Sequence, residues 1–265
     1  MEQRGAVLDL AATDPVDVAS EPTNIEASDR GVVVVVSDGM GGENAGEVAS
    51  AMVIDGLREH FARGFDAEDP AGSLVAGLVH ANAKVIDGAK EPGREGMGAT
   101  VIAVHVGGST AYTAEIGDSR AYLFRQGKLR QLSKDQTQVQ LLLDQGLLTP
   151  ETVKTSRAKN VVLQAIGKVP ELIVAQRRIE LRRGDRLLLC SDGLTGHVTD
   201  AEIAGFLWGD RLDEACREMV TLAKERGGKD NITIVLVELE GPAPPPGPGE
   251  TVDQTLATLR AFELG

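Results

Sequence analysis

The stretch that most constrains the fold is GVVVVVSDGMGG, residues 31–42. Five consecutive β-branched valines favour a short strand, and a strand without polar alternation is typical of one that is buried on both faces. The run ends in a carboxylate, Asp38, and then in glycines that let the chain turn sharply. We therefore predict a buried strand over 31–37 that places an aspartate at its end and is followed by a helix over 43–64.

The rest of the chain predicts an α+β fold. Residues 98–133 alternate strand-like runs with short turns such as VGGS and RQGK, which indicates an antiparallel meander. Further strands are expected over 187–190 and directly after Asp230. Helices are expected over 71–87, 136–145 and 212–226. Antiparallel strands that are segregated from helices along the chain are typical of the α+β class.

Composition narrows the choice of partners and compartment. The chain has 265 residues, a net charge of −13 and a pI near 4.8, and an acidic surface repels nucleic acid. Solubility alone explains such a charge, although bound cations would offset part of it. Its two cysteines, Cys190 and Cys216, make neither a disulfide framework nor a zinc cage. Without a signal-like start or an apolar run of the ~20 residues that span a bilayer, we expect a cytoplasmic protein with no membrane insertion.

Four aspartates follow strand-like runs, each beside Gly, Ser or Asn. They are Asp38, Asp118, Asp192 and Asp230. One such aspartate is usually a turn or helix-cap residue, but four that met at one sheet edge would repel one another and raise each other's pKa. Hard divalent cations relieve that repulsion, and oxygen ligands without nearby Cys or His favour Mg²⁺ or Mn²⁺ over Zn²⁺. We therefore predict a metal site in which Asp38 is a ligand and the carbonyl of Gly39 approaches the metal closely.

Five blocks of sequence occur in a fixed order. They are SDGMGGENAGEVAS, GMGATVIAVHV, AEIGDSRAYLFRQGKLRQLSKDQT, LLLCSDGL and GGKDNITIVLV. Together they resemble the bacterial branch of the metal-dependent protein phosphatase family, which is protein phosphatase 2C-like. The resemblance covers residues 31–238 and implies a four-layer α/β/β/α sandwich of two antiparallel sheets flanked by helices. It also implies an enzyme that hydrolyses phosphoserine and phosphothreonine in proteins.

The resemblance assigns roles to the predicted site residues. Asp38 is expected to bridge two metal ions, Gly39 to bind through its carbonyl, and Asp192 and Asp230 to complete the first metal's ligands. Asp118 matches the carboxylate that holds a third ion together with Asp192. The resemblance thus implies two or three Mg²⁺ or Mn²⁺ ions per chain, with Asp38, Asp192 and Asp230 as the catalytic set. Hydrolysis would proceed by a metal-bridging hydroxide and would reverse the action of a cognate bacterial Ser/Thr kinase.

Because this chemistry needs no protein nucleophile, several other polar residues are expected to have structural roles. The three serines beside the aspartates, Ser37, Ser119 and Ser191, are expected to form turns and hydrogen bonds. The two histidines near the motifs, His105 and His197, are expected on a strand face or at the surface. Residues 145–168 match the family's flap, which is linked to substrate choice.

The N-terminal part departs from the family pattern. The family opens with Arg-x-x-Asn-x-Asp, in which the arginine binds phosphate and an acid supports the second metal. Arg4 and Asp9 have that separation here, but Val7 stands in place of asparagine. Met40 occupies the position of a histidine that is invoked as general acid in eukaryotic relatives, and methionine cannot donate a proton. A degenerate phosphatase that binds phosphoproteins or a kinase without turnover is therefore the alternative; an unrelated Mg²⁺-dependent hydrolase of small phosphoesters is the third possibility.

Composition also predicts the domain organisation. We expect a phosphatase domain over 1–240, whose residues 1–30 are a divergent N-terminal segment. Residues 241–249, GPAPPPGPG, read as a linker with little capacity to fold. Residues 250–265 are expected to form a short C-terminal helix or tail. Helical spacing places four apolar side chains of that segment on one face: Val252, Leu256, Leu259 and Phe262.

Overall fold

The computed structural model describes residues 4–10, 16–17, 23–41, 43–153, 161–228 and 230–263. The strands are β1 (Arg4–Asp9), β2 (Val16–Asp17), β3 (Val32–Met40), β4 (Gly98–Gly107), β5 (Thr110–Ile116), β6 (Arg120–Arg125), β7 (Lys128–Gln131), β8 (Ala175–Glu180), β9 (Arg186–Cys190), β10 (Ile234–Glu238) and β11 (Leu256–Arg260). The helices are α1 (Glu43–Arg63), α2 (Pro70–Gly88), α3 (Gln138–Asp144), α4 (Pro150–Val153), α5 (Asp192–Thr195), α6 (Asp200–Phe206) and α7 (Leu212–Glu225), and a 3-10 turn covers Val252–Gln254.

The strands of the described residues form two antiparallel sheets. The larger sheet has the order β11-β8-β5-β4-β3-β1-β2, and the smaller has the order β10-β9-β6-β7. Helices α1 and α2 pack on the outer face of the larger sheet, and α6 and α7 pack on the outer face of the smaller one. A third apolar core lies between the two sheets. The predicted α+β class and four-layer α/β/β/α sandwich are confirmed.

The valine run is explained by the central position of β3. Val33 and Val35 belong to the core under α1 and α2, while the other three valines belong to the core between the sheets. All five are buried, the most exposed being Val32 at 8%. Each buried valine contributes about 1.5–3 kcal/mol relative to an exposed one. The strand is therefore held on both faces, and this fixes the position of Asp38 near its end.

The predicted meander over 98–133 is confirmed as four strands, but they are divided between the sheets. Strands β4 and β5 pair in the larger sheet, whereas β6 and β7 pair in the smaller one. The chain changes sheet at residues 117–119, where Gln136 Oε1 accepts a hydrogen bond of 2.8 Å from the Gly117 amide. This crossing places Asp118 at the end of the sandwich where β3 and β9 also end.

The predicted C-terminal helix is wrong. Residues 252–260 form the 3-10 turn and then β11, which pairs antiparallel with β8 at the edge of the larger sheet. A helix of this length gains little stability by itself, whereas the open edge of β8 satisfies the backbone of a strand directly. The helical spacing of the four apolar residues suggested a buried face, but only Val252 of the four is buried, and Leu259 is 49% exposed.

Candidate metal centre

Two of the predicted ligands come from different sheets and meet at one end of the sandwich. The Cα of Asp38, near the end of β3, pairs with Thr100 of β4. Asp192 directly follows Ser191 after β9 and is the first residue of α5. The two carboxyl groups lie within hydrogen-bonding distance of each other. The strand ends of the larger and the smaller sheet therefore bring these carboxylates together.

Asp230 joins this pair from the turn before β10. Its Oδ1 accepts a hydrogen bond of 2.9 Å from the Asn231 amide, and its charge acts on Asp192. Burial, followed by the charge of Asp230, raises the pKa of Asp192, although the hydrogen bond with Asp38 acts in the opposite direction. The loops that contain Asp192 and Asp230 are tied by Ser191, whose amide donates to the Thr233 carbonyl over 3.2 Å.

Asp118 lies beside the same group. Burial raises its pKa to about 7, with smaller contributions from the charges of Asp192 and Asp135. The turn that contains Asp118 is tied to β4 because the hydroxyls of Ser119 and Thr100 lie 2.7 Å apart. The predicted hydrogen-bonding role of Ser119 is confirmed.

The serine beside Asp38 also has the predicted role. The Ser37 hydroxyl donates to the Thr100 carbonyl over 2.9 Å and is fully buried. The Ser191 hydroxyl accepts from the Thr233 amide over 3.2 Å. These bonds hold the strand ends in register.

An acidic residue that sequence analysis missed also belongs to this region. Asp135 accepts two hydrogen bonds from Arg120, of 2.8 and 2.7 Å, and its charge contributes to the raised pKa of Asp118. The signal was its place in the block LRQLSKDQT, although it follows β7 and a turn rather than an apolar strand. The guanidinium of Arg120 is therefore bound by Asp135 rather than by one of the four predicted ligand aspartates.

The arrangement fits a hard cation. Asp192 Oδ1 is buried and has no hydrogen-bond partner among the described residues. A buried carboxylate oxygen that lacks a donor and faces other carboxylates is suited to Mg²⁺ or Mn²⁺. No three acidic, histidine or cysteine side chains in the described part of the chain are already gathered closely enough to form a complete metal cage. The ligand roles of Asp38, Gly39, Asp118, Asp192 and Asp230 therefore remain predictions.

Gly39 lies against the first turns of α1. A Cβ added at Gly39 would collide with the backbone carbonyl of Gly46. The absence of a side chain therefore lets α1 pack directly onto the end of β3, next to Asp38. This close packing is the structural reason for glycine at a position where the sequence predicted a metal-binding carbonyl.

The register of β1 decides between the two N-terminal candidates. Strand β1 runs antiparallel to β3, with Arg4 opposite Ser37 and Asp9 opposite Val32. Asp9 is thus six residues along the strand from Asp38, which corresponds to about 20 Å. Asp9 is therefore too far from Asp38 to act as the family's N-terminal acid at this centre, whereas the backbone of Arg4 lies at the same end of the sheet as Asp38.

Of the two histidines expected on a strand face or at the surface, His105 is confirmed on a strand face. His105 lies on β4, stacks on Phe65 with ring centroids 4.7 Å apart, and contacts the Arg30 carbonyl through Nε2 at 2.9 Å. Burial lowers its pKa. His197 follows α5, is partly buried, and its carbonyl accepts a hydrogen bond of 2.8 Å from Arg226. His105 pairs with Val33, five residues along β3 from Asp38, so it is not placed to donate a proton at the end of that strand.

The predicted flap over 145–168 is described except for residues 154–160. Its final part is tied to the larger sheet, because the backbones of Ile166 and Ala99 exchange hydrogen bonds of 2.8 and 3.0 Å. Ala99 is in turn the register partner of Gly39. Ala99 of β4 therefore lies between Ile166 of the flap and Gly39 of β3.

Comparison with known proteins gives consistent matches. The family model described as protein phosphatase 2C matches residues 23–236. Serine/threonine protein phosphatase PstP of Mycobacterium tuberculosis is 39% identical over 213 residues, which are 78% of this chain and 40% of that protein. Serine/threonine phosphatase stp of Listeria innocua is 36% identical over 219 residues, which are 80% of this chain and 86% of that protein. The match thus covers less than half of the Mycobacterium protein and most of the Listeria one.

A solved structure is similar as well. It is the catalytic domain of serine/threonine protein phosphatase PstP in complex with two manganese ions, with a TM-score of 0.71 and 33% identity. The match covers 89% of this chain and 97% of that one. Among the described helices of this chain, none combines the length and apolar character that crossing a bilayer requires.

Proposed function

The chain belongs to the protein phosphatase 2C family, and from this premise we propose that it hydrolyses phosphoserine and phosphothreonine in proteins with the help of Mg²⁺ or Mn²⁺. The observation that carries the proposal is the buried, partnerless Oδ1 of Asp192, on a carboxyl group that meets Asp38 and Asp230 where the two sheets end. The names of the bacterial relatives and the two manganese ions of the PstP structure support the same activity.

We assign the metal ligands to Asp38, the Gly39 carbonyl, Asp118, Asp192 and Asp230, with two or three ions per chain. Bound there, such ions would lower the pKa of water to give a nucleophile and would neutralise charge on the phosphoryl oxygens. The chain itself holds the ligands in place. Burial on both faces of β3 fixes Asp38, the N-terminus of α5 presents Asp192, and hydrogen bonds of Ser191 fix the loops of Asp192 and Asp230 relative to each other.

Two described residues of this region, Met40 and Arg120, are unsuited to protonate the leaving group. Met40 pairs with Gly98 at the end of β3 and has no proton to donate. The Arg120 guanidinium is bound to both Asp135 oxygens and to the Tyr122 hydroxyl at 3.0 Å. The departing serine or threonine oxygen is therefore expected to take its proton from water. We further propose that the substrates are phosphoproteins, that a cognate Ser/Thr kinase phosphorylates them, and that the protein is cytoplasmic.

The test is phosphate release from a phosphothreonine peptide and from p-nitrophenyl phosphate in Mn²⁺, with and without EDTA. We expect turnover that requires the cation and that Asp192→Asn removes. Folded protein with no turnover at millimolar Mn²⁺ would contradict the proposal.

A second function is favoured by one observation. Asp9 of β1 pairs with Val32, at the end of β3 that is opposite to Asp38. It therefore does not supply the N-terminal acid that is expected from the family. A phosphoprotein- or kinase-binding module without turnover would bind a phosphopeptide in Mn²⁺ and release no phosphate. Measuring peptide binding and phosphate release on the same sample separates this function from catalysis.

A further inference from the structure

We propose that Lys168 binds the phosphoryl group of the substrate at the rim of the metal centre, an inference that rests on the phosphatase function proposed above. The residue lies at the end of the flap, in the segment Gln164–Lys168. Neither sequence motifs nor the predicted ligand set pointed to it.

The backbone near Lys168 is fixed to the larger sheet. Ile166 is fully buried and exchanges hydrogen bonds of 2.8 and 3.0 Å with Ala99, the register partner of Gly39. The next residue, Gly167, donates its amide to Asn82 Oδ1 over 2.7 Å. Since Asn82 is itself buried on α2, the chain is held on two sides just before Lys168.

The side chain of Lys168 lies on the same face of the sheet as the Asp38 carboxylate. Its stem crosses Gly98, where an added Cβ would lie 2.8 Å from Lys168 Cε. Gly98 and Thr100 point to one face because strand side chains alternate, and Thr100 is the register partner of Asp38. Diagonal neighbours across an antiparallel pair are about 7–8 Å apart. The stem of Lys168 therefore lies beside the diagonal neighbour of Asp38, on the face of the sheet that carries the Asp38 carboxylate.

Glycine at position 98 is what permits this path. Any larger residue would meet both the Lys168 stem and the Ile166 carbonyl, which would lie 2.9 Å from an added Cβ. The lysine is thus packed along the start of β4 while its ammonium group stays exposed and donates to the Gly96 carbonyl. A carbonyl is a neutral partner that a phosphoryl oxygen can replace.

The charge of Lys168 is not neutralised by a carboxylate among the described residues. Three other basic side chains near the sheet ends are paired: Arg120 with Asp135, Arg177 with Glu115, and Lys134 with Asp144. A substrate phosphoryl group carries negative charge into a rim that already holds four carboxylates. A lysine ammonium is a compact point charge that suits phosphate, so an unneutralised one here favours phosphoryl binding.

The closing experiment measures phosphate binding separately from turnover. Inorganic phosphate is titrated into the Mn²⁺-loaded full chain by calorimetry, for the wild type and for Lys168→Ala, Lys168→Arg and the control Lys128→Ala. Lys128 is exposed at the start of β7, at the opposite end of the smaller sheet. We expect Lys168→Ala to weaken phosphate binding about tenfold, in line with the loss of a charged hydrogen bond. Lys168→Arg and Lys128→Ala should stay within about threefold of the wild type.

Kinetics provide the second measurement. For p-nitrophenyl phosphate, Lys168→Ala should raise KM about tenfold and change kcat less than threefold, because the contact is made in both the ground and the transition state. Unchanged phosphate affinity in Lys168→Ala overturns the inference even if the wild type is fully active. An effect confined to peptides with acidic residues beside the phosphothreonine also overturns it, because the lysine would then recognise the flanking sequence. Phosphate binding that depends on Lys168 in a protein without turnover would uphold the inference and refute the phosphatase function alone.

Discussion

Replacing Arg125 tests how much the end of the sandwich opposite the carboxylates contributes to stability. Arg125 and Asp185 are each 1% exposed and form a two-pronged ion pair, with Nε–Oδ1 at 2.8 Å and Nη2–Oδ2 at 2.6 Å. Arg125 also donates to the Thr255 hydroxyl and to the Glu180 carbonyl, over 2.8 and 2.9 Å. The guanidinium thereby joins β6 of the smaller sheet to β8 and the C-terminal segment of the larger one.

The Arg125→Met variant leaves the Asp185 carboxylate buried, and the Arg182 amide is then its one remaining hydrogen-bond donor among the described residues. Removing one partner of a buried pair costs about 3–5 kcal/mol, a large part of the 5–15 kcal/mol typical of a domain. At about 2–4 °C per kcal/mol, the melting temperature should fall by roughly 10 °C. Replacing both members, Arg125→Met with Asp185→Leu, removes the stranded charge and should recover at least about 1 kcal/mol.

Urea unfolding followed by circular dichroism measures these changes. The control is Arg130→Met, which breaks an exposed pair with Asp253 whose members are 51% and 63% exposed and should cost below about 1 kcal/mol. The turnover number per folded molecule should be retained, because Arg125 lies five residues along β6 from Arg120, about 17 Å. An Arg125→Met protein within 1 kcal/mol of the control would refute the reasoning, as would a double variant less stable than the single one.

Three further predictions concern the carboxylate end. Asp192→Asn should lower phosphatase activity at least about 100-fold, as measured by steady-state kinetics. In EDTA its unfolding midpoint, measured by circular dichroism, should lie near or above that of the wild type, because the change removes a carboxylate from a repelling group. Gly39→Ala should cost about 1–3 kcal/mol by urea unfolding, since its Cβ would collide with Gly46, whereas Gly205→Ala, with open space around it, should not. Saturating Mn²⁺, at about 100 times its Kd, should stabilise the protein by about 2.7 kcal/mol in calorimetry, and unchanged melting temperature on adding EDTA would contradict cation binding.

The parts of the fold that could be predicted are those in which neighbouring residues already determine the burial. The five valines of β3 and the helical periodicity of α1 needed no distant partner to be recognised. Strand β8 was missed because its sequence, AQRRIE, lacks apolar alternation. Arg177 is 12% exposed there and forms an ion pair of 2.9 Å with Glu115 of β5, a partner that sequence spacing does not reveal.

The candidate site shows the same division. Asp38, Asp118, Asp192 and Asp230 could be grouped because each follows a strand-like run, and strand ends share a rim. The place of Lys168 depends on the bridge between Ile166 and Ala99, and the exclusion of Asp9 depends on the register of β1. The C-terminal strand likewise formed because β8 had an open edge. These outcomes are set by pairing between distant segments, which no local pattern encodes.

The distribution of charge along the sandwich has a mechanical consequence. At one end of the sandwich, the guanidinium of Arg125 joins the two sheets through Asp185 and Thr255. At the other end, Asp38 and Asp192 bring carboxyl groups from opposite sheets into contact. Without added divalent cations, the end that holds Asp38 and Asp192 should therefore open more readily than the end held by Arg125. The first amide protons to exchange should be those of the strand ends around residues 37–39 and 190–192, while those near 125 and 185 persist.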